Sequence, residues 1–142
     1  MSALEEELEL SIDFEKLRAI GQGGQDVVPV ALQDAESNEL LFVGFANERA
    51  LTETLSTRRA VLWSTSRNEL WRKGDGSGDV LDLVEVRVNC EQNSLLYRVR
   101  PRGAGACHTR NRKGESRRSC YYRTLTGDGS PRGSLEFDED LA

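Results

Sequence analysis

The sequence predicts an α+β fold in which an antiparallel β-sheet carries a few short helices. Apolar and polar residues alternate over Val84–Cys90, which is the period-two pattern of a half-buried strand. The apolar runs Val27–Leu32 and Leu40–Phe45 flank the turn-forming residues 34–38, as in a pair of antiparallel strands. The segments with helical spacing are short, so strands dominate the predicted fold.

The chain of 142 residues has the length of one compact domain. No linker, repeat or low-complexity stretch divides it, although Gly, Ser and Asp are frequent near its C-terminal end. We expect a single domain over residues 1–142, with its core at 12–123 and flexible, solvated ends at 1–11 and 126–142.

Two helices are predicted. Residues Asp13–Ile20 carry apolar side chains at helical spacing, and a glycine follows them as a helix stop. Asn47 belongs to the residue types that cap helix N-termini. The helix after it is predicted to place Ala50, Leu51 and Leu55 on one apolar face.

Three further strands complete the predicted sheet. One is expected at Ala60–Ser64. The strand at Val84–Cys90 is followed by a tight turn at residues 91–93 and by a strand with alternating apolar residues over Leu95–Val99. Because Cys90 shares a face with the valines before it, we expect its sulfur to point toward the packed side of the sheet.

The charge pattern favours an anionic small molecule over nucleic acid or a membrane. With 24 acidic against 19 basic residues, the net charge of -5 disfavours general binding to phosphate backbones. Basic residues nevertheless cluster over Arg98–Arg123, where Glu115 is the only acid. The mean hydropathy is -0.55, and no apolar run approaches membrane-spanning length. Since the acidic stretch Leu4–Leu8 also lacks the pattern of a signal peptide, we expect a cytoplasmic protein.

The three cysteines, Cys90, Cys107 and Cys120, cannot all pair within one chain, and a reducing compartment disfavours any pairing. They are therefore free, catalytic or metal-binding. Three thiolates can bind zinc tetrahedrally and leave a fourth position for water, as in a hydrolytic site. His108, the only histidine, directly follows Cys107 and is either a base for such a water or an ordinary polar residue.

The stretch Trp71–Gly78 combines Arg72 and Lys73 with glycines whose backbone amides can approach a phosphate closely. It is not a P-loop, and a glycine-rich hairpin turn explains the same pattern equally well. The pair Arg117 and Arg118 is likewise either an anion site or a solvated charged face.

Several strings are specific enough to be compared with known families. They are FVGFANE at Phe42–Glu48, LWSTSRNELWRKG at Leu62–Gly74, CHT at Cys107–Thr109 and RRSCYYR at Arg117–Arg123. These strings resemble the phosphoribosyl-AMP cyclohydrolase family of histidine biosynthesis. The resemblance extends over residues 12–123, which is most of the chain.

The resemblance implies a homodimer with a zinc site at the subunit interface, where Cys90 of one subunit joins Cys107 and Cys120 of the other. It also implies hydrolysis of the N1–C6 bond of the adenine ring in phosphoribosyl-AMP, with His108 as the catalytic residue that moves protons. The residues implied to bind this anionic nucleotide are Trp63, Ser64, Arg67, Trp71, Arg72, Lys73, Ser77, Arg117 and Arg118.

The sequence departs from the family pattern around the implied active site. Where the family places three carboxylates that bind magnesium, this chain has Asn89, Glu91 and Asn93, so we expect weak or absent magnesium dependence. Asp79 stands in place of a family histidine. The loop between Cys107 and Cys120 is longer and more basic, with an insertion at Asn111–Ser116.

Two other hypotheses stay open beside a zinc-dependent hydrolase of phosphoribosyl-AMP. In one, a diverged paralogue hydrolyses another ring that contains an amidine or guanidine, and the lost carboxylates mark that change. In the other, the chain is a non-catalytic dimer that binds zinc or a nucleotide. The presence of His108 together with all three cysteines argues against the non-catalytic dimer, because a binding protein needs no residue for proton transfer.

Overall fold

A computed structural model of the chain describes residues 3–130 and 133–142. Its elements in chain order are α1 (Ala3–Glu6), α2 (Lys16–Gln22), β1 (Val28–Asp34), β2 (Leu40–Ala46), α3 (Glu48–Thr57), β3 (Val61–Ser64), β4 (Glu69–Arg72), β5 (Leu81–Val88), β6 (Leu95–Pro101), β7 (Arg123–Thr126) and β8 (Ser134–Phe137). The predicted α+β class is confirmed. Among the described residues, no helix has the length and apolar character needed to cross a membrane.

The central sheet has four strands in the order β2-β1-β6-β5. The β1–β2 and β5–β6 pairs are antiparallel, as predicted from the sequence. However, β1 and β6 run parallel, with Val30 opposite Leu95, so the sheet is mixed rather than antiparallel throughout. Parallel neighbours need a long connection, which the chain between β1 and β6 supplies, and such a long-range pairing leaves no local sequence pattern.

The core lies between the central sheet and the layer formed by α3 with β3. Val30, Leu32, Tyr97 and Val99 of the sheet have no exposed surface, and Leu62 of β3 is equally buried. Helix α3 packs against both β2 and β3. Burial of these apolar side chains is the main source of stability of the domain.

Helix α3 begins as predicted, because the Asn47 side-chain oxygen accepts a hydrogen bond from the Ala50 amide at 2.9 Å. Its buried face differs from the prediction. Ala50 and Thr54 are fully buried, whereas Leu55 is 48% exposed. The Thr54 hydroxyl accepts from the Val61 amide at 2.9 Å and so links the helix directly to β3. Ala50 is small and Thr54 forms this hydrogen bond, so α3 can lie close to β3.

Helix α2 is displaced from its predicted position at Asp13–Ile20 and covers Lys16–Gln22. Ile20 is its buried residue, while Phe14 and Leu17 are exposed. The apolar spacing therefore indicated a helix correctly but did not indicate a buried face over its whole length.

The expectation that Cys90 points into the packed side of the sheet is wrong for the single chain. Leu81 and Leu83 of β5 face the core, but a register shift between Leu83 and Glu85 interrupts the alternation. Such a bulge changes which residues face inward. Val88 is then 54% exposed and Cys90 is exposed as well.

Both ends, which the sequence predicts to be flexible, make defined contacts with the rest of the domain. Strand β8 pairs with β7 in a second antiparallel hairpin, and Leu141 is buried. The N-terminal segment joins the same unit, because the Leu135 amide donates to the Leu8 carbonyl oxygen at 3.0 Å. The contacts link residues far apart in sequence, so the polar composition of the ends did not reveal them.

We predict that Asn47→Ala lowers the free energy of unfolding by about 1 kcal/mol, because the first turn of α3 loses its side-chain cap. Urea unfolding at a fixed protein concentration measures this change. Asn47→Asp is the control and should stay near the wild-type value, since aspartate accepts the same hydrogen bond. Equal stability of the alanine variant and the wild type would show that the cap contributes nothing.

Candidate functional site

Two chain segments, residues 105–109 and 116–120, lie side by side and bring Cys107 close to Cys120. The Cys107 amide donates to the Arg117 carbonyl oxygen at 3.0 Å, and the Arg117 amide donates to the Thr109 carbonyl oxygen at 3.0 Å. Gly105 makes the approach possible, because a Cβ atom there would collide with the Arg117 carbonyl group. We call these two segments the cysteine hairpin.

The cysteine hairpin is attached to the exposed edge of the central sheet. The Cys120 amide donates to the Leu41 carbonyl oxygen of β2 at 2.7 Å, and the Ser119 hydroxyl donates to the Leu40 carbonyl oxygen at 2.8 Å. Since both bonds use the edge strand β2, the position of the Cys120 sulfur is fixed relative to the core.

The Cys107 and Cys120 thiols are hydrogen-bonded to each other, and this contact shifts their pKa values in opposite directions. A hydrogen bond from Cys120 lowers the pKa of the Cys107 thiol to about 5, and hydrogen bonds from Thr109 act in the same direction. The Thr109 hydroxyl oxygen lies 3.0 Å from the Cys107 sulfur. The same thiol contact, together with burial, raises the pKa of Cys120. Cys107 is therefore the thiol that ionises more readily, and the pair offers two soft sulfur donors.

Lys73 is buried near the thiol pair. Burial lowers the pKa of its ammonium group, while the charges of Asp79, Cys120 and Cys107 act against this change. The Lys73 Nζ donates to the Asp79 carbonyl oxygen at 3.3 Å. This buried cation offsets negative charge on the sulfur atoms.

Asp79, which stands where the family pattern has a histidine, is paired within the chain. Its carboxylate accepts a hydrogen bond from the Ser116 hydroxyl at 2.7 Å, and both residues are buried. Ser116 ends the predicted insertion, so this bond ties the insertion to the glycine-rich stretch after β4. The local sequence gave no signal for it, because 37 positions separate the partners.

Cys90 does not complete a metal site within one chain. It is exposed in the turn between β5 and β6. In residues 3–130 and 133–142, no three side chains of His, Cys, Asp or Glu are grouped so that they could hold a metal ion. In the described part of the chain, Cys90 therefore lies apart from the pair Cys107 and Cys120.

The residues at the implied magnesium site hydrogen-bond to one another. The Asn89 side-chain oxygen accepts from the backbone amides of Asn93 and Ser94, both at 2.9 Å. The Asn89 side-chain amide donates to the Asn93 side-chain oxygen at 2.7 Å, and Asn93 donates to the Glu91 carboxylate at 3.1 Å. These bonds close the turn, and the side-chain oxygens of both Asn89 and Asn93 accept hydrogen bonds from amide nitrogens.

Two predicted phosphate ligands form ion pairs with carboxylates elsewhere in the chain. Arg72 binds both oxygens of Glu53, at 2.6 and 2.7 Å. Arg118 binds both oxygens of Glu39, at 2.8 and 3.2 Å. Both pairs are partly exposed to solvent, so they are open to competition from an anionic ligand.

Arg117 is a third predicted ligand, and the structure places it in the interior. Its side chain is 3% exposed, its Nε donates to the Leu141 carbonyl oxygen at 2.8 Å, and its guanidinium lies 4.1 Å from the ring centroid of Tyr122. It also contacts Glu6 at 3.1 Å. Arg117 therefore holds the two chain ends against the cysteine hairpin.

The other predicted substrate residues lie on the β3–β4 hairpin and the turn after it. The Trp63 indole donates to Gln25 at 3.0 Å, and Trp71 packs on Phe42 with 5.7 Å between ring centroids. Ser64 accepts a hydrogen bond from the Arg67 amide, and Arg67 is exposed in the turn.

Ser77 lies in the glycine-rich stretch and accepts from the Asp79 amide at 3.2 Å. The Gly78 amide donates to the Gly74 carbonyl oxygen at 2.8 Å, so this stretch forms a turn.

His108 is exposed, and sequence reasoning missed its partner. The imidazole Nε2 lies 2.8 Å from Glu5 Oε1. Glu5 belongs to the N-terminal segment that was expected to be solvated, and 103 positions separate it from His108. The contact depends entirely on the tertiary docking of that segment.

Comparison with known proteins identifies close relatives. The family model described as phosphoribosyl-AMP cyclohydrolase matches residues 42–122. The chain is 44% identical over 115 residues to a phosphoribosyl-AMP cyclohydrolase of Bordetella parapertussis, covering 81% of each chain. It is 45% identical to a phosphoribosyl-AMP cyclohydrolase of Archaeoglobus fulgidus, covering 72% of this chain and 88% of that protein. It is also 45% identical to the histidine biosynthesis bifunctional protein HisIE of Thermus thermophilus, covering 88% of this chain and 51% of that protein.

We predict that Ser116→Ala destabilises the domain by about 1–3 kcal/mol, because the buried Asp79 carboxylate loses its hydroxyl donor. Urea unfolding at a fixed protein concentration measures the loss. Ser66→Ala, at an exposed position in the β3–β4 turn, is the control and should change little. A Ser116→Ala variant as stable as this control would contradict the prediction.

Proposed function

The chain belongs to the phosphoribosyl-AMP cyclohydrolase family, and on this basis we propose that it opens the adenine ring of phosphoribosyl-AMP by hydrolysis of the N1–C6 bond. In this reaction a cyclic amidine is hydrolysed. The water oxygen ends on C6, and the amidine nitrogens take up the two protons as the C6–N1 bond breaks. The observation that carries the proposal is the cysteine hairpin, which brings Cys107 and Cys120 together, with His108 exposed directly after Cys107.

The donor set fits zinc. The Cys107 and Cys120 side chains already lie in hydrogen-bonding contact in each chain, and thiolate sulfur is a preferred zinc ligand. Cys107 and Cys120 of one subunit, with Cys90 of a second, would hold the ion in a homodimer. When bound, zinc supplies the activation of a water molecule at neutral pH.

His108 is the residue proposed to move protons. Its side chain is 74% exposed next to Cys107, so a ligand at the sulfur pair can reach the imidazole. A neutral imidazole accepts a proton from water and can return it to the leaving ring nitrogen. Lys73 is buried close enough for its charge to interact with both sulfur atoms.

The phosphate groups of the substrate need cations that are free to bind them. Arg67 is exposed, and the described part of the chain shows no ion pair for it. Arg72 and Arg118 are held at the surface by Glu53 and Glu39. Arg67 is therefore the first of the predicted arginines to test for substrate binding, and Arg117 is the last because it is buried.

Steady-state turnover of phosphoribosyl-AMP tests the proposal. The wild type should convert it, and His108→Ala should lower kcat on the order of 10²–10⁴-fold because proton transfer loses its carrier. The variant should keep its zinc, since the histidine is not among the proposed ligands. Unchanged kcat in His108→Ala would remove the histidine from the reaction. No turnover by zinc-loaded wild type would favour the diverged paralogue.

Elemental analysis tests the metal. We predict about one zinc per subunit in purified protein, and loss of zinc with a weaker dimer in Cys107→Ser, because one ion ties two chains together. Ser66→Ala is a control that should keep its metal. Wild-type protein that is folded and dimeric but holds no zinc would contradict the proposal.

A magnesium titration tests the turn at Asn89–Asn93. We predict turnover with little dependence on magnesium, because Glu91 alone remains as a carboxylate and the turn already closes through its own hydrogen bonds. The double variant Asn89→Asp, Asn93→Asp should gain magnesium stimulation. Strong stimulation of the wild type would contradict this prediction.

A further inference from the structure

We propose that Glu5 is a positioning residue that orients the imidazole of His108 for proton transfer. The inference rests on the proposed catalytic role of His108 and extends it to the N-terminal segment Leu4–Glu9. This segment lies outside residues 42–122, the part of the chain that matches the family model.

The contact between the two side chains has the geometry of an orienting hydrogen bond. Glu5 Oε1 lies 2.8 Å from His108 Nε2. The Glu5 side chain is 27% exposed, whereas that of His108 is 74% exposed. The imidazole is therefore held at one nitrogen by a carboxylate while the rest of the ring stays open to a ligand. A carboxylate at one ring nitrogen selects the ring orientation and leaves the other nitrogen for proton transfer.

The backbone around Glu5 is anchored by two residues that follow the cysteine hairpin. The Tyr122 hydroxyl donates to the Glu5 carbonyl oxygen at 2.8 Å. The Arg123 guanidinium donates to the Glu7 carbonyl oxygen at 2.7 Å and to the Leu4 carbonyl oxygen at 3.0 Å. These hydrogen bonds hold the backbone at Glu5 and on both sides of it, so the position of the Glu5 carboxylate is restricted.

Further contacts tie the segment to the C-terminal hairpin and to the interior. Glu6 pairs with the buried guanidinium of Arg117 at 3.1 Å. The Leu135 amide donates to the Leu8 carbonyl oxygen at 3.0 Å, and Glu9 forms a β-bridge with Ser134. A segment held by hydrogen bonds along its length is part of the scaffold, in contrast to a lid that opens for substrate.

The competing interpretation is an acidic cover that occupies the site until a substrate phosphate displaces it. The two interpretations predict opposite kinetics. A positioning carboxylate raises kcat, so its removal slows turnover. An acidic cover competes with substrate, so its removal lowers KM and increases kcat/KM. The exposure of His108 in the docked state favours positioning.

Kinetics of Glu5→Ala on phosphoribosyl-AMP provide the first test, with Glu7→Gln as the matched control. Glu7 lies in the same segment with an exposed side chain. We expect Glu5→Ala to lower kcat by about 10- to 100-fold, the usual effect of removing the partner that orients an active-site imidazole, with KM nearly unchanged. Glu5→Gln, which keeps a hydrogen-bonding side chain, should retain more activity than Glu5→Ala. Glu7→Gln should match the wild type.

The double variant Glu5→Ala, His108→Ala distinguishes action through the histidine from a separate effect. It should be no slower than His108→Ala alone, because the carboxylate acts only through the ring. An additive loss would overturn the proposal. So would wild-type kcat in Glu5→Ala, or an increase in its kcat/KM.

Nuclear magnetic resonance gives a readout that does not depend on turnover. His108 is the only histidine of this chain, so its ring signals are unambiguous. We expect relaxation of the Cε1–H group to report a rigid ring in wild type and Glu7→Gln, and a mobile ring in Glu5→Ala. Equal ring mobility in all three would overturn the proposal. A wild type with a rigid ring that does not convert phosphoribosyl-AMP would refute the proposed function and leave the orienting contact intact.

Discussion

The backbone pairing within the cysteine hairpin is the constraint on which the rest of the site depends. It places Cys107 against Cys120, and the collision that a Cβ atom at Gly105 would cause shows how closely the two segments approach. The same pairing turns Arg117 inward, where it binds both chain ends. The hydrogen bond from the Cys120 amide to β2 then fixes the position of the cysteine hairpin relative to the central sheet. A soft donor pair of defined geometry thus follows from ordinary backbone hydrogen bonds.

Charge is distributed around this hairpin in a way that composition did not suggest. The basic segment at Arg98–Arg123 indicated a surface open to anions, yet several of its arginines are paired with acidic residues from distant parts of the sequence. Glu39, Glu6 and Asp82 bind Arg118, Arg117 and Arg102 in this manner. The acidic N-terminal segment therefore has a structural role, since its carboxylates and carbonyl oxygens satisfy cations that surround the cysteine hairpin.

Local patterns predicted the elements that depend on local chemistry. The β1–β2 hairpin and the Asn47 cap were both visible as residue types at defined spacing. The features that were missed depend on contacts between distant residues. They include the parallel β1–β6 pair, the docking of both ends and the exposure of Cys90 after the bulge in β5. The same holds for the candidate site. Cys107 and His108 are neighbours in the sequence and could be predicted together, whereas the contacts of Glu5 with His108 and of Ser116 with Asp79 depend on the fold.

The central claim is that two copies of the chain share each metal site, with Cys90 supplied by one and the sulfur pair by the other. Mixing Cys90→Ser protein with Cys107→Ser protein tests it most directly. Each variant alone should lack turnover of phosphoribosyl-AMP, while a mixed dimer contains one site with all three cysteines. After subunit exchange, we expect turnover to return to about a quarter of the wild-type value, because about half of the dimers are mixed and each has one complete site of two. No recovery, with mixed dimers detected by mass spectrometry, would contradict the shared site.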